Sequence, residues 1–134
     1  MRRRRASISS KSCRPRVTRH ASIGSDGENR ALAFIRDKGF TLIERNYRAG
    51  RAGEIDIIAR KDNMVVFFEV KRRRSKSFGG GIYAITEAKK RRIRAVARAF
   101  IASRPAYQHK DITFRFDLIV IQGDDIEWVE DMFR

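Results

Sequence analysis

Asp56, Glu69 and Lys71 stand in the order Asp-x12-Glu-x-Lys inside "GEIDIIARKDNMVVFFEVKRRR", the stretch from Gly53 to Arg74. Two carboxylates and an ammonium group serve no packing purpose in so apolar a pair of segments. The polar pair Asp62-Asn63 interrupts the apolar runs and reads as a two-residue turn, since both residue types tolerate left-handed backbone. A hairpin closed there places Ile58 opposite Phe67, Asp56 opposite Glu69 and Glu54 opposite Lys71. Directly opposed Cβ atoms lie ~5 Å apart. Two carboxylates at that separation repel by roughly 3 kcal/mol at an effective dielectric of ~20. A proton, Lys71 or a divalent cation would offset that cost. A hard cation such as Mg2+ takes oxygen ligands, commonly one or two carboxylates completed by water and substrate phosphate. The pattern therefore fits metal-assisted phosphodiester hydrolysis, with Asp56 and Glu69 on the ion and Lys71 beside the attacking water. Spacing alone leaves a plainer arrangement open: a Glu54–Lys71 cross-strand ion pair, with Asp56 and Glu69 facing solvent.

The elements that must position these residues follow from periodicity. Ser25-Asp26-Gly27-Glu28 has the S-x-x-E form of a capping box and opens a helix with Ala31, Leu32 and Ile35 on one face; Gly39 stops it. "FTLIERNYR" predicts a first strand, "EIDIIAR" and "MVVFFEVKR" the hairpin. "SFGGG" is a flexible lead-in, with no Gly-Lys-Ser/Thr to make it a phosphate-cradling P-loop. "TEAKKRRIRAVARAFIAS" predicts a long helix burying Ile93, Val96, Ala97, Phe100 and Ile101, ended by Pro105. "ITFRFDLIVI" and a short "IEWVE" supply two more strands around Gly123-Asp124. Helix, three strands, helix, two strands is an α/β pattern: a sheet flanked by helices. Asp117 reads as a supporting polar residue at a strand start, and Trp128 and Phe133 as core or interface.

Charge narrows the partners. The chain has 134 residues, a formal net charge of +15 and 35% charged residues, with 42% hydrophobic residues to build a core. Eight of the 31 basic residues and none of the 16 acids fall in the first 22 positions. The remainder is still basic, which points to a polyanion and above all to nucleic acid. Arg72, Arg73 and Arg74, with Lys89, Lys90 and Arg91, flank the acidic cluster and are expected to contact phosphates. Residues 1–24 lack periodicity and read as a disordered basic extension, with residues 25–134 as the domain. The extension has no apolar h-region of a secretory signal, although its Arg- and Ser-rich, acid-free composition is shared with organellar transit peptides. No apolar run is long enough to span a bilayer. The lone Cys13 excludes an intrachain disulfide, and His20 and His109 form no zinc or triad pattern.

Taken together, "GEIDIIA", "VVFFEVKRRRS", "FGG", "AITEAKKRRI" and "RFDLIVI" resemble the bacterial YraN family, also called UPF0102. That family is related to archaeal Holliday junction resolvases within the restriction-endonuclease-like, PD-(D/E)xK, superfamily. The resemblance spans about residues 25 to 133. It implies a restriction endonuclease-like core, a mixed central β-sheet flanked by helices. It implies Mg2+ (or Mn2+) held by Asp56 and Glu69, with the Val70 carbonyl as a further ligand and Lys71 as the catalytic lysine. Glu28 matches the acidic residue that resolvase-like relatives carry into the site, in competition with its capping-box role. Glu54, in "GEID", supports the site without being a ligand. Lys89 matches a lysine near the start of the second helix, read either as a phosphate contact or as part of a solvated face. Ile55-Asp56 stands where the superfamily has Pro-Asp, a change the family shares. The activity implied is Mg2+-dependent endonucleolytic cleavage of DNA, branched or Holliday junction-like, in repair or recombination. A cytoplasmic, nucleoid-associated protein and, by analogy with enzymes that make two symmetric incisions, a homodimer go with it. The competing expectation is a non-catalytic nucleic-acid-binding module that keeps the nuclease fold.

Overall fold

The computed structural model describes residues 2–7, 23–73 and 85–133. In chain order the elements are β1 (Arg2–Ser7), α1 (Ile23–Asp37), β2 (Thr41–Arg48), β3 (Glu54–Lys61), β4 (Met64–Arg73), α2 (Glu87–Ser103), a 3-10 turn (Pro105–Tyr107), β5 (Thr113–Gln122) and β6 (Asp125–Phe133). The strands form one sheet in the order β1-β6-β5-β4-β3-β2. Only β4 and β5 run parallel; every other neighbour is antiparallel. The mixed sheet flanked by helices is thus the α/β fold expected, and it is consistent with a restriction endonuclease-like core.

The helices cover opposite faces. Ala31, Leu32, Phe34 and Ile35 of α1 pack with Ile57, Ala59, Val66, Phe68, Ile119, Ile121 and Trp128. Ile93, Val96, Ala97 and Phe100 of α2 pack with Ile55, Ile58, Val65 and Phe67 on the other side. A strand covered on both faces reads as a continuous apolar run, which explains why Val65 to Phe68 alternate in direction and are all buried. Each helix ends on a local device. Gly39 (φ 95) takes the left-handed position after α1, and the Phe40 amide closes back onto the Ile35 carbonyl at 3.0 Å. Thr86 caps α2, its hydroxyl accepting from the Lys89 amide at 3.1 Å.

Three expectations change. Helix α1 begins at Ile23, so Ser25 lies inside the first turn and no capping box starts there. Within the extension expected to be disordered, Arg2–Ser7 forms an edge strand on β6; residues 8–22 lie outside the described residues. Its register sets Arg2 opposite Glu130 and Arg5 opposite Glu127. Strand β6 is longer than "IEWVE" because it continues through a bulge. The register shifts opposite Phe116/Leu118, Asp131 adopts φ 55, and its amide donates to Asp117 Oδ1 at 2.9 Å. Asp117 is fully buried and also accepts from Arg115 Nε and Nη2 and from Trp128 Nε1, at 2.8, 2.7 and 2.8 Å. It is the supporting residue expected, the anchor of the bulge. Trp128 and Phe133 are core residues.

Candidate functional site

The β3–β4 hairpin closes at Asp62-Asn63, with Asp62 at φ 54, and its ladder runs from Lys61↔Met64 to Ile57↔Phe68. The expected partner Ile58↔Phe67 is in place. The pairs Asp56↔Glu69 and Glu54↔Lys71 are not, because the strands part beyond Ile57. Side-chain alternation also breaks there: Ile57 packs toward α1, whereas Ile55 and Ile58 both pack toward α2. Across on β2, Asn46 falls between the pairs Arg45↔Ile57 and Tyr47↔Ile55 and takes φ 51. In the opening, the Val70 amide donates to Asp56 Oδ2 at 2.8 Å, so a carboxylate fills a place the backbone ladder leaves.

Glu69 is 8% exposed and half-exposed Lys71 follows it, both on the α2 side of β4, opposite in direction to Val66, Phe68 and Val70. Two ammonium groups converge on one of its oxygens: Lys89 Nζ at 3.3 Å and Lys71 Nζ at 3.8 Å from Oε1. Among the described residues, no ammonium or guanidinium group pairs with Asp56. Its carboxyl is pushed up to about 7, foremost by burial and next by the charge of Glu69. The Val70 amide pulls the other way, and Glu28 and Glu54 add to the rise. The two lysines thus lie against Glu69, while the charges acting on Asp56 are those of the acids around it.

Glu28 reaches this neighbourhood from α1. It lies on the same helical stripe as Ala31, Leu32 and Ile35, and Arg45 Nη2 holds its Oε1 at 3.7 Å. It acts on Asp56 through charge. Among the described residues, no three His, Cys, Asp or Glu side chains stand close enough together to hold a metal ion. Of the acids expected at the site, Asp56 feels the charge of Glu69 most strongly and is held by the amide of Val70, the residue that follows Glu69. Glu54 pairs with Arg48 Nε at 2.9 Å and not with Lys71, so the simple cross-strand ion pair is overturned. Burial of Glu69 likewise removes the arrangement in which the acids face solvent.

A model of the uncharacterised protein family UPF0102 matches residues 27–121. A UPF0102 protein of Nitrosomonas europaea is 43% identical over 113 residues, 82% of this chain and 92% of its own length. One from Shewanella loihica is 40% identical over 114 residues, 85% and 96% of the two chains. One from Caldicellulosiruptor saccharolyticus is 39% identical over 99 residues, 74% and 80%. The chain belongs to the UPF0102 family. The matched UPF0102 span contains Glu28, Asp56, Glu69, Val70, Lys71 and Lys89, while β1 and β6 lie outside it.

The basic residues expected to flank the site take different places in this UPF0102 chain. Lys89 belongs to the carboxylate site and not to a solvated helix face. Lys90 turns away to Glu87 at 2.9 Å and lies over the Phe133 ring, and Arg72 stands 3.7 Å from Asp26 on α1. Arg91 is exposed on α2, and Arg92 with it; the two line an open hollow of about 290 Å³ with Ala52, Ala88 and Ala95. Arg73 ends β4, half-buried, and Arg74 lies outside the described residues. What the sequence reading missed was the direction of Lys89. The signal was present: Lys89, Ile93, Val96, Ala97 and Phe100 recur at i, i+4, i+7, i+8 and i+11, so Lys89 extends the buried stripe by one turn toward the sheet. Among the described residues, no helix is long and apolar enough to cross a membrane.

Proposed function

We propose that this UPF0102 protein is a divalent-metal-dependent endonuclease that hydrolyses DNA phosphodiesters. The observation that carries the reading is the Asp56 carboxylate held at 2.8 Å by the Val70 amide where β3 and β4 part, next to nearly buried Glu69; burial and the charge of Glu69 raise Asp56 to about 7. An all-oxygen pair of carboxylates suits a hard divalent cation, whose remaining positions go to water and phosphate oxygen. Asp56 and Glu69 would hold Mg2+ or Mn2+, with the Val70 backbone adjacent. A cation bound there supplies Lewis acidity to the phosphate and lowers the pKa of bound water.

The chain's own groups do the rest. Asp56 gives up its proton near neutral pH, so its readiness as a ligand rises through that range. Lys71 orients the attacking water and sets positive charge where the phosphate gains negative charge. The Val70 amide fixes the Asp56 carboxylate, and exposed Arg91 and Arg92 offer guanidinium groups to flanking phosphates. Branched DNA as the favoured substrate, a homodimer making paired cuts, a role in repair or recombination, and a place at the nucleoid extend the reading along the likeness to junction resolvases.

A specific observation favours a second reading. Lys71 and Lys89 already balance Glu69, so the fold also suits a nucleic-acid-binding module without catalysis. The two readings part in one assay: four-way junction and matched linear duplex incubated with Mg2+, Mn2+ or EDTA. The nuclease reading expects metal-dependent cutting, with the junction-to-duplex ratio reporting the preference for branches. Tight binding without cutting in either metal selects the binding module.

A further inference from the structure

Lys89 stands where a helix least favours a cation. It falls in the first turn of α2, beside the Thr86 cap, where the exposed amides already carry partial positive charge. Its neighbour Lys90 meets that with Glu87 on the same helix. Lys89 instead crosses to the sheet, because it continues the buried stripe that ends at Ile93. Its Nζ comes closer to Glu69 Oε1 than the Nζ of Lys71 does, 3.3 against 3.8 Å. Glu69 is nearly buried and the Lys89 side chain is one-third exposed, so water reaches the contact from the lysine side alone.

We propose that Lys89 is a positioning residue of the carboxylate site: its ammonium holds Glu69 Oε1 toward α2 and keeps the affinity of the Asp56–Glu69 pair for a divalent cation modest. The inference rests on the metal-site reading above and changes the role of Lys89 within it. A phosphate-binding lysine keeps its head in water and is spent on the ligand. A lysine lodged against a nearly buried carboxylate is spent on the site itself. Its charge competes with an incoming dication for the same oxygen and repels it across a few ångströms. Lys71 approaches the same oxygen from the next turn of the pleat, so the two ammonium groups divide the work: Lys89 fixes the ligand, and Lys71 is left the more exposed of the two for substrate.

The test is Mn2+ affinity, measured by electron paramagnetic resonance or calorimetry on the full chain without DNA. Lys89→Met keeps the unbranched stem and removes the ammonium group; it is expected to bind Mn2+ at least about tenfold more tightly. Lys89→Gln, a second neutral variant, is expected to tighten binding likewise should the methionine perturb folding. Lys89→Arg keeps the charge and is expected to stay close to the parent. Duplex affinity in EDTA is expected to remain within about twofold for all three, with an unchanged salt slope. Unchanged Mn2+ affinity in both neutral variants, with duplex affinity lower and the salt slope reduced by about 1, would overturn the inference in favour of a phosphate contact and leave the metal site standing. Absence of Mn2+ binding at millimolar concentration in the parent and the variants alike would bring down the metal site together with the inference.

Discussion

Asp56→Asn removes the charge that the fold tolerates least. The Asp56 carboxyl sits at about 7 in the folded protein against an ordinary value of 3.8. At 1.36 kcal/mol for each pK unit, ionising it in place costs about 4 kcal/mol at the ceiling. Because the group is half-buried and not fully enclosed, solvent screening brings the expected figure to about 2–4 kcal/mol. The folded state binds the Asp56 proton more tightly than the unfolded chain does. Its contribution is therefore fully present below pH 3.8 and is lost as pH rises through about 7. Asparagine keeps an oxygen to accept from the Val70 amide and cannot ionise. Urea unfolding, followed by the fluorescence of the single, buried Trp128, reads the difference. Near pH 4 the variant and the parent are expected to be within about 1 kcal/mol of each other. At pH 8.5 the variant is expected to be more stable by about 2–4 kcal/mol. Mg2+ at a hundred times its Kd then restores about 2.7 kcal/mol to the parent and none to the variant. A stability difference that does not change with pH would refute the electrostatic account of the site.

Other consequences are open to measurement. Asp117→Ala strips four hydrogen bonds and takes from Arg115 its bidentate carboxylate partner, so it is expected to cost about 3–5 kcal/mol in urea unfolding. Asp117→Asn, which can still accept, is expected to cost less. Arg91→Gln and Arg92→Gln are expected to weaken duplex binding without sequence preference, each lowering the salt slope by about 1 in fluorescence anisotropy titrations.

Much of the fold was legible because its signals are local. The run Val65 to Phe68 needs two covered faces, Asp62-Asn63 closes a hairpin by itself, and Gly39 can take the φ of 95 that ends α1. The pairing of Ile58 with Phe67 followed from the turn alone. Register failed beyond Ile57 because the parting of β3 from β4 depends on Asn46 across β2 and on which helix each isoleucine meets. These are tertiary contacts, invisible to a pairing rule. Asp56 and Glu69 stood out by residue type and spacing, yet the group that ties Asp56 to β4 is the Val70 amide, which carries no side-chain signature. Strand β1 was missed because four arginines in a row carry no strand periodicity, and its place beside β6 is a long-range backbone pairing. Glu28 was legible as an acid at the right helical spacing, but its tie to Arg45 on β2 was not.

The most direct test of the central claim is a single-turnover cleavage rate on a four-way junction in Mg2+, measured for the parent, Glu69→Ala and Lys71→Ala at matched DNA occupancy. The account predicts metal-dependent cutting that falls by about 100-fold or more in both variants while DNA binding persists. Cutting that survives both substitutions, or a parent that binds the junction and never cuts it in Mg2+ or Mn2+, would contradict it.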